Sequence, residues 1–115
     1  MEQIIALLFL DRTLAHLEHL RTKSYAQHVA LGTFYDEVVD FADKLAEAYQ
    51  GYDEVMQNIP VLNHSGKGKI EDILGQHVLE IEKFRKTYEL SAIQNIIDEI
   101  VGLYLSTIYK LRNLS

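Results

Sequence analysis

Three of the chain's five histidines, His16, His19 and His28, fall within the single stretch HLEHLRTKSYAQH. Acids follow at Asp36, Asp40, Asp43 and Glu47. Imidazole nitrogen and carboxylate oxygen together suit first-row metals such as Fe(II), Mn(II) or Zn(II). The chain has no cysteine. Thiolate sites and disulfides are therefore excluded, and any metal must rest on His, Asp and Glu. Asp43 and Glu47 are four apart, so on a helix they share one side and can reach a common centre.

The helix that carries these acids also limits what they can do. At 100° per residue, the four acids fall between about 60° and 120° from His28, well away from the centre of the helix's apolar face. A metal site inside one bundle aims its carboxylates into the core, typically through paired Glu-x-x-His motifs. The sequence has no Glu-x-x-His. The acidic stripe thus faces either water, as charge runs on helices usually do, or a second chain whose histidines complete a shared site.

Four helices are expected to position these residues. The first spans about 2–21, with a stripe at Leu10, Leu14, Leu17 and Leu20 and an apolar run from Ile4 to Leu10. A helix that is apolar on every side is covered on more than one side, which in so small a domain points to a partner subunit. The second spans about 24–50. It opens with a capping box, Ser24 with Gln27, and stops at Gly51. A third, about 69–89, carries Ile70, Ile73, Leu74, His77, Ile81, Phe84 and Tyr88 on one seam. The fourth, about 91–113, opens with a second box, Ser91 with Gln94.

The stretch between the second and third helices holds the only proline, with room for a short helix over 52–58. Fully extended, it can reach roughly 60 Å at 3.3 Å per residue, long enough to cross a bundle. The expected fold is therefore all-α, one domain over residues 1–115. It is a ferritin-like four-helix bundle of two antiparallel hairpins joined by a long crossover.

Bulk properties remove other classes. A formal net charge of −6 argues against nucleic acid as a partner, since that contact is built from clustered Lys and Arg. No apolar run is long enough for a membrane span. Glu2 stands where a secretory signal would be basic, and a cytoplasmic setting is expected.

The spacing His16-x11-His28-x14-Asp43-x3-Glu47, with DKLAE around the acids, resembles the ferroxidase motif of the Dps family of mini-ferritins. The hairpin HLRTKSYAQH and the ending DEIVGLYLSTIYKL are similar to small phage-encoded ferritin-like proteins. The resemblance implies a homo-oligomer paired through the first hairpin, as a dimer or within a larger assembly. His16 and His28 of one subunit and Asp43 and Glu47 of its partner would bind iron as Fe(II), oxidise it to Fe(III) and sequester it. Zinc or manganese are alternative occupants. His19 is an alternate to His16, and Asp36 and Asp40 are alternate acids that could line an inner surface. A phage source would place the protein in host cytoplasm. Leu17 stands where the family usually has Trp, and Gly32 where it commonly has an acid. There is no basic N-terminal tail, so the family's DNA binding does not carry over. The competing expectation is a non-catalytic helical structural or interaction protein that keeps the bundle without a working metal site or cofactor.

Two more histidines complete the set. His77, on the apolar seam, is expected to be a satisfied core or interface histidine. His64, in the polar connection, has no assigned role. SGKGK lacks the P-loop pattern and the preceding strand, and no serine or cysteine nucleophile constellation is present. Tyr25 and Tyr35 flank the histidines as packing residues.

Overall fold

The run IIALL near the N-terminus has no polar side, so a helix built from it must be surrounded. In the computed structural model, which describes residues 1–115, it sits in α1 (Glu2–Arg21), followed by α2 (Tyr25–Tyr52), α3 (Ile70–Arg85) and α4 (Ser91–Asn113), with no strand. α1 packs on α2 and α3, and α4 packs on the same two helices. The four therefore stand at the corners of a square in the order α1, α2, α4, α3. This is an all-α four-helix bundle, 44 Å along its longest axis.

The connection from Asp53 to Lys69 crosses the length of that bundle. It leaves α2 where Tyr49 meets Tyr88 edge to face. It enters α3 beside Arg21 and Gln27, at the opposite end. Two antiparallel hairpins joined by one long crossover is the expected connectivity. On the way, Ile59–Leu62 lie over Ala6, Phe9, Leu10 and Thr13, and Gly66 and Gly68 lie beside Leu14 and Leu17.

This path supplies the cover that α1 needs. Ile4, Ile5, Ala6, Leu7 and Leu8 are all at most 4% exposed within a single chain. α2, α3 and the crossover surround them, so no partner subunit is required to bury the run. The core stripe of α1 also differs from the expected one. It is Ile4, Leu8, Asp11 and Ala15 that face inward, while Leu17 and Leu20 are exposed. The other helices contribute Leu31, Phe34, Val38 and Leu45, then Leu74 and Ile81, then Ile93, Ile97, Ile100 and Tyr104.

Boundaries differ where side chains divert the backbone. Ser24 is the N-cap of α2, its Oγ accepting from the Gln27 amide at 3.2 Å. The return half of the box runs through Thr22, whose hydroxyl donates to Gln27 Oε1 and accepts from the Ser24 amide. α2 continues through Gly51 to Tyr52, and no short helix forms over 52–58. α3 ends at Arg85 rather than 89. The second box is absent, because Leu90 is the N-cap of α4 and has no side-chain cap. Gln94 instead reaches back to α3, donating to the carbonyls of Arg85 and Tyr88 at 2.8 and 2.6 Å. Arg85 answers by donating to Gln94 Oε1 and to Asp98. These bonds tie the end of α3 and the turn after it to the first turn of α4.

Candidate functional site

The short turn between α1 and α2 brings His19 and His28 face to face, ring centroids 3.7 Å apart. Each ring bonds the other's backbone: His19 Nδ1 to the His28 carbonyl at 2.6 Å, and His28 Nδ1 to the His19 carbonyl at 2.9 Å. A carbonyl oxygen only accepts, so both Nδ1 atoms carry their protons and each neutral ring keeps its lone pair on Nε2. His16 lies flat on Tyr35 at 4.0 Å and edge-on to His19 at 6.0 Å. His19, not His16, is thus the ring in contact with His28.

Gly32 makes this clasp possible. A Cβ placed there would stand 3.1 Å from His19 Cε1 and 3.3 Å from its Nδ1. A larger side chain at this position presses on the His19 ring, which must give by a few tenths of an ångström.

Asp36, Asp40, Asp43 and Glu47 are all exposed, as their place on the helix predicts. None of them pairs with a lysine, arginine or histidine. Asp43 lies fifteen positions beyond His28, about 22 Å along the helix at 1.5 Å per residue. One chain cannot bring both to a single ion, and no group of three or more His, Asp or Glu side chains converges within it. The stacked His19 and His28 do not chelate together either. A metal about 2.1 Å from one Nε2, in that ring's plane, lies outside the plane of the other.

A second polar centre, not expected from the sequence, sits in the core. Asp11 is completely buried. Its Oδ1 accepts from His77 Nδ1 at 2.5 Å, and its Oδ2 accepts from the Tyr104 hydroxyl at 2.5 Å. Three helices, α1, α3 and α4, thus meet at one carboxylate. Burial pushes the Asp11 carboxyl above its usual range, although both bonds and the His77 charge pull the other way. Burial depresses His77, but the bond to Asp11 and its charge outweigh this, so the imidazole is raised. Burial, followed by the neighbouring carboxylate, pushes the Tyr104 phenol well above its ordinary value. His77 is indeed a satisfied core histidine. Asp11 was readable only as the one acid in register with Ile4, Leu8 and Ala15. Outside the core, His64 stands edge-on to His77, centroids 6.3 Å apart.

No helix is long and apolar enough to cross a membrane, and no solved structure matches the chain. An uncharacterized 14.6 kDa protein from the mobD–ri intergenic region of Enterobacteria phage T4 is 30% identical over 112 residues. That match covers 96% of this chain and 86% of the phage protein. A family model matches residues 19–111, from the clasp through nearly all of α4. The chain therefore belongs to the family of unknown function DUF5856.

Proposed function

We propose that the protein works as a self-paired bundle that holds a divalent first-row metal between the first hairpins of two copies. The observation that carries this reading is the layout of α2, with His28 near its start and unpaired Asp43 and Glu47 further along. A two-fold axis crossing α2 near Tyr35 and Asp36, midway between His28 and Asp43, lays two α2 helices antiparallel. Each copy's histidines then meet its partner's acids, as an isologous interface requires. The Nδ1 bond at His28 supports the role, because metal-binding imidazoles ordinarily fix their tautomer through the other nitrogen. The mini-ferritin resemblance makes iron the leading occupant, with oxidation of Fe(II) to Fe(III) by dioxygen or peroxide and its sequestration as the chemistry. Asp36 and Asp40 would extend the acidic surface. The similarity to a phage T4 protein fits a phage source and a place in host cytoplasm.

The competing reading is a non-catalytic interaction protein. It is favoured by the engagement of all three hairpin histidines in ring stacking, which gives them a structural use without metal. A mixing experiment separates the two. His28→Gln and Asp43→Asn should each abolish Fe(II) or Zn(II) binding, measured by calorimetry under anaerobic conditions for iron. Mixed and allowed to exchange subunits, the two variants should regain binding, because one site in each heterodimer then has both halves. No binding by the wild-type protein, with ferrous oxidation equal to buffer, overturns the metal reading and leaves the interaction reading.

A further inference from the structure

The crossover is held to the bundle by little except apolar contact and one histidine. From Gln57 to Lys67 every hydrogen bond is local, and none reaches a helix. Ile59–Leu62 only partly cover α1, leaving an apolar groove of about 380 Å³ with Phe9, Leu10 and Ala6 on its floor. Val61 is 92% exposed. His64 is the one titratable side chain of this stretch that meets a helix side chain, through its edge contact with His77.

His64 also bonds within its own turn. Its Nδ1 accepts from the Gly66 amide at 2.9 Å, so that nitrogen carries no hydrogen. The turn it stabilises passes through Gly66 and Gly68, at φ 75° and 97°, where only glycine rotates freely. The groups facing His77 are Asp11 from α1, Tyr104 from α4 by way of Asp11, Glu80 on its own helix and His64 from the crossover. Both Asp11 oxygens already accept, one from His77 and one from Tyr104, and the carboxylate is completely buried.

From this arrangement we infer that the crossover is a proton-operated cover, which acid releases from α1 to bare the apolar groove floor. A proton on His64 acts twice in the same direction. It converts Nδ1 from acceptor to donor, facing the Gly66 N–H that it had bound. It also sets a positive charge beside His77, whose own charged form the bond to Asp11 and its charge favour. Two unit charges about 6 Å apart shift an open–closed ratio roughly threefold at the dielectric of water and up to about a hundredfold at the effective dielectric of about 20 typical near a protein surface. The two glycines provide the hinge, and the absence of other polar anchors lets the segment move without disturbing the helices. The part of the groove floor that Ile59–Leu62 cover then becomes accessible in acid.

The chain lacks cysteine, so a single introduced thiol reports cleanly. The Leu10→Cys variant is labelled with a dipyridyl disulfide, and its rate is divided by that of Gly102→Cys, exposed on α4 away from the crossover. Between about pH 7.5 and about pH 5.5, across the imidazole range, that ratio should rise at least about threefold. Helical circular dichroism should stay unchanged. In the His64→Asn background, where the amide oxygen can take the Gly66 bond but cannot titrate, the rise should disappear. Binding of an apolar dye to the unlabelled wild-type protein, and to His64→Asn alone, reads the same event without a core thiol. An unchanged ratio and dye signal in the wild type, or an equal rise in His64→Asn, overturns the inference.

Discussion

The most discriminating perturbation lies at Asp11, where one carboxylate serves two buried donors. Asp11→Ala leaves the Tyr104 hydroxyl, at 0% exposure, with no acceptor. An unsatisfied buried donor costs about 1–3 kcal/mol. The His77 side loses a charge-assisted bond worth about 1.5–3 kcal/mol. Part of that returns through water, because the His77 side chain is 11% exposed. The sum, about 3–5 kcal/mol, matches the cost of removing one partner of a buried charged pair. Against a total stability of about 5–15 kcal/mol, the variant is marginal only near the lower end and stays folded above it. With an m-value of about 2 kcal/mol per molar urea, the unfolding midpoint should fall by about 2 M.

Asp11→Asn tests the reason rather than the size. The amide oxygen can accept from Tyr104, and the amide NH2 can donate to His77 Nδ1 once that ring moves its proton to Nε2. Both bonds survive, so the cost should be about 1 kcal/mol or less. What changes is charge. In the wild type His77 is raised above 6.5, so its contribution to stability is full below that value and is lost as pH rises through its folded value. Asp11 is raised above 3.8, so its protonated form is the one folding favours, and that contribution also fades with rising pH. In Asp11→Asn both effects of Asp11 are gone, burial opposes only the weaker pull of Glu80, and the imidazole falls below 6.5. Its contribution then grows with pH instead. NMR titration of the His77 ring and denaturant curves at about pH 6 and about pH 8 read both effects. An alanine cost below about 1 kcal/mol, or a His77 still raised in Asp11→Asn, refutes the account.

Two comparisons test the local readings by chemical denaturation. Gly102→Ala meets nothing within 4 Å and should gain about 0.5–1 kcal/mol from helix propensity. Gly32→Ala should show no such gain, because its methyl group presses on a His19 ring already fixed against His28. Equal gains would disprove the clasp. Ser24→Ala should cost about 1 kcal/mol as a lost N-cap, whereas Ser91→Ala, inside the helix and bonded to no cap, should cost less than about 0.5 kcal/mol. A large loss at Ser91 would mean that the second box forms after all.

The fold was legible where hydrophobic period and chain length agree. The Leu31–Leu45 stripe of α2 and the Ile93–Leu111 stripe of α4 specify helices that bury one face. A connection too long for a hairpin specifies a crossover. What misled was α1, because a run apolar on every side has no period to read. The stripe through Leu17 and Leu20 was as regular in sequence as the true one, and only the path of the crossover chose between them. The termini failed for a different reason. Ser91–Gln94 has the spacing of a capping box, but Gln94 instead bonds the last carbonyl of α3, at Arg85, and the Tyr88 carbonyl in the turn beyond it. That competitor is invisible to a four-residue window.

The candidate site divides in the same way. The wheel position of the acids could be read because it needs only helical geometry, and all four are exposed where it puts them. The clasp could not, since it depends on ring planes and on backbone carbonyls that sequence does not display. It also changes how the histidines bear on the proposed chemistry. Ring stacking and metal binding use different atoms: the clasp takes Nδ1 and the ring faces, while a metal takes Nε2. The two are therefore coupled in series rather than opposed. Gly32 admits the His19 ring, the His19 carbonyl fixes the His28 tautomer, and that tautomer leaves Nε2 open at the edge of α2. A methyl group at Gly32 should then weaken metal binding between copies without touching any ligand, while Gly102→Ala leaves it unchanged.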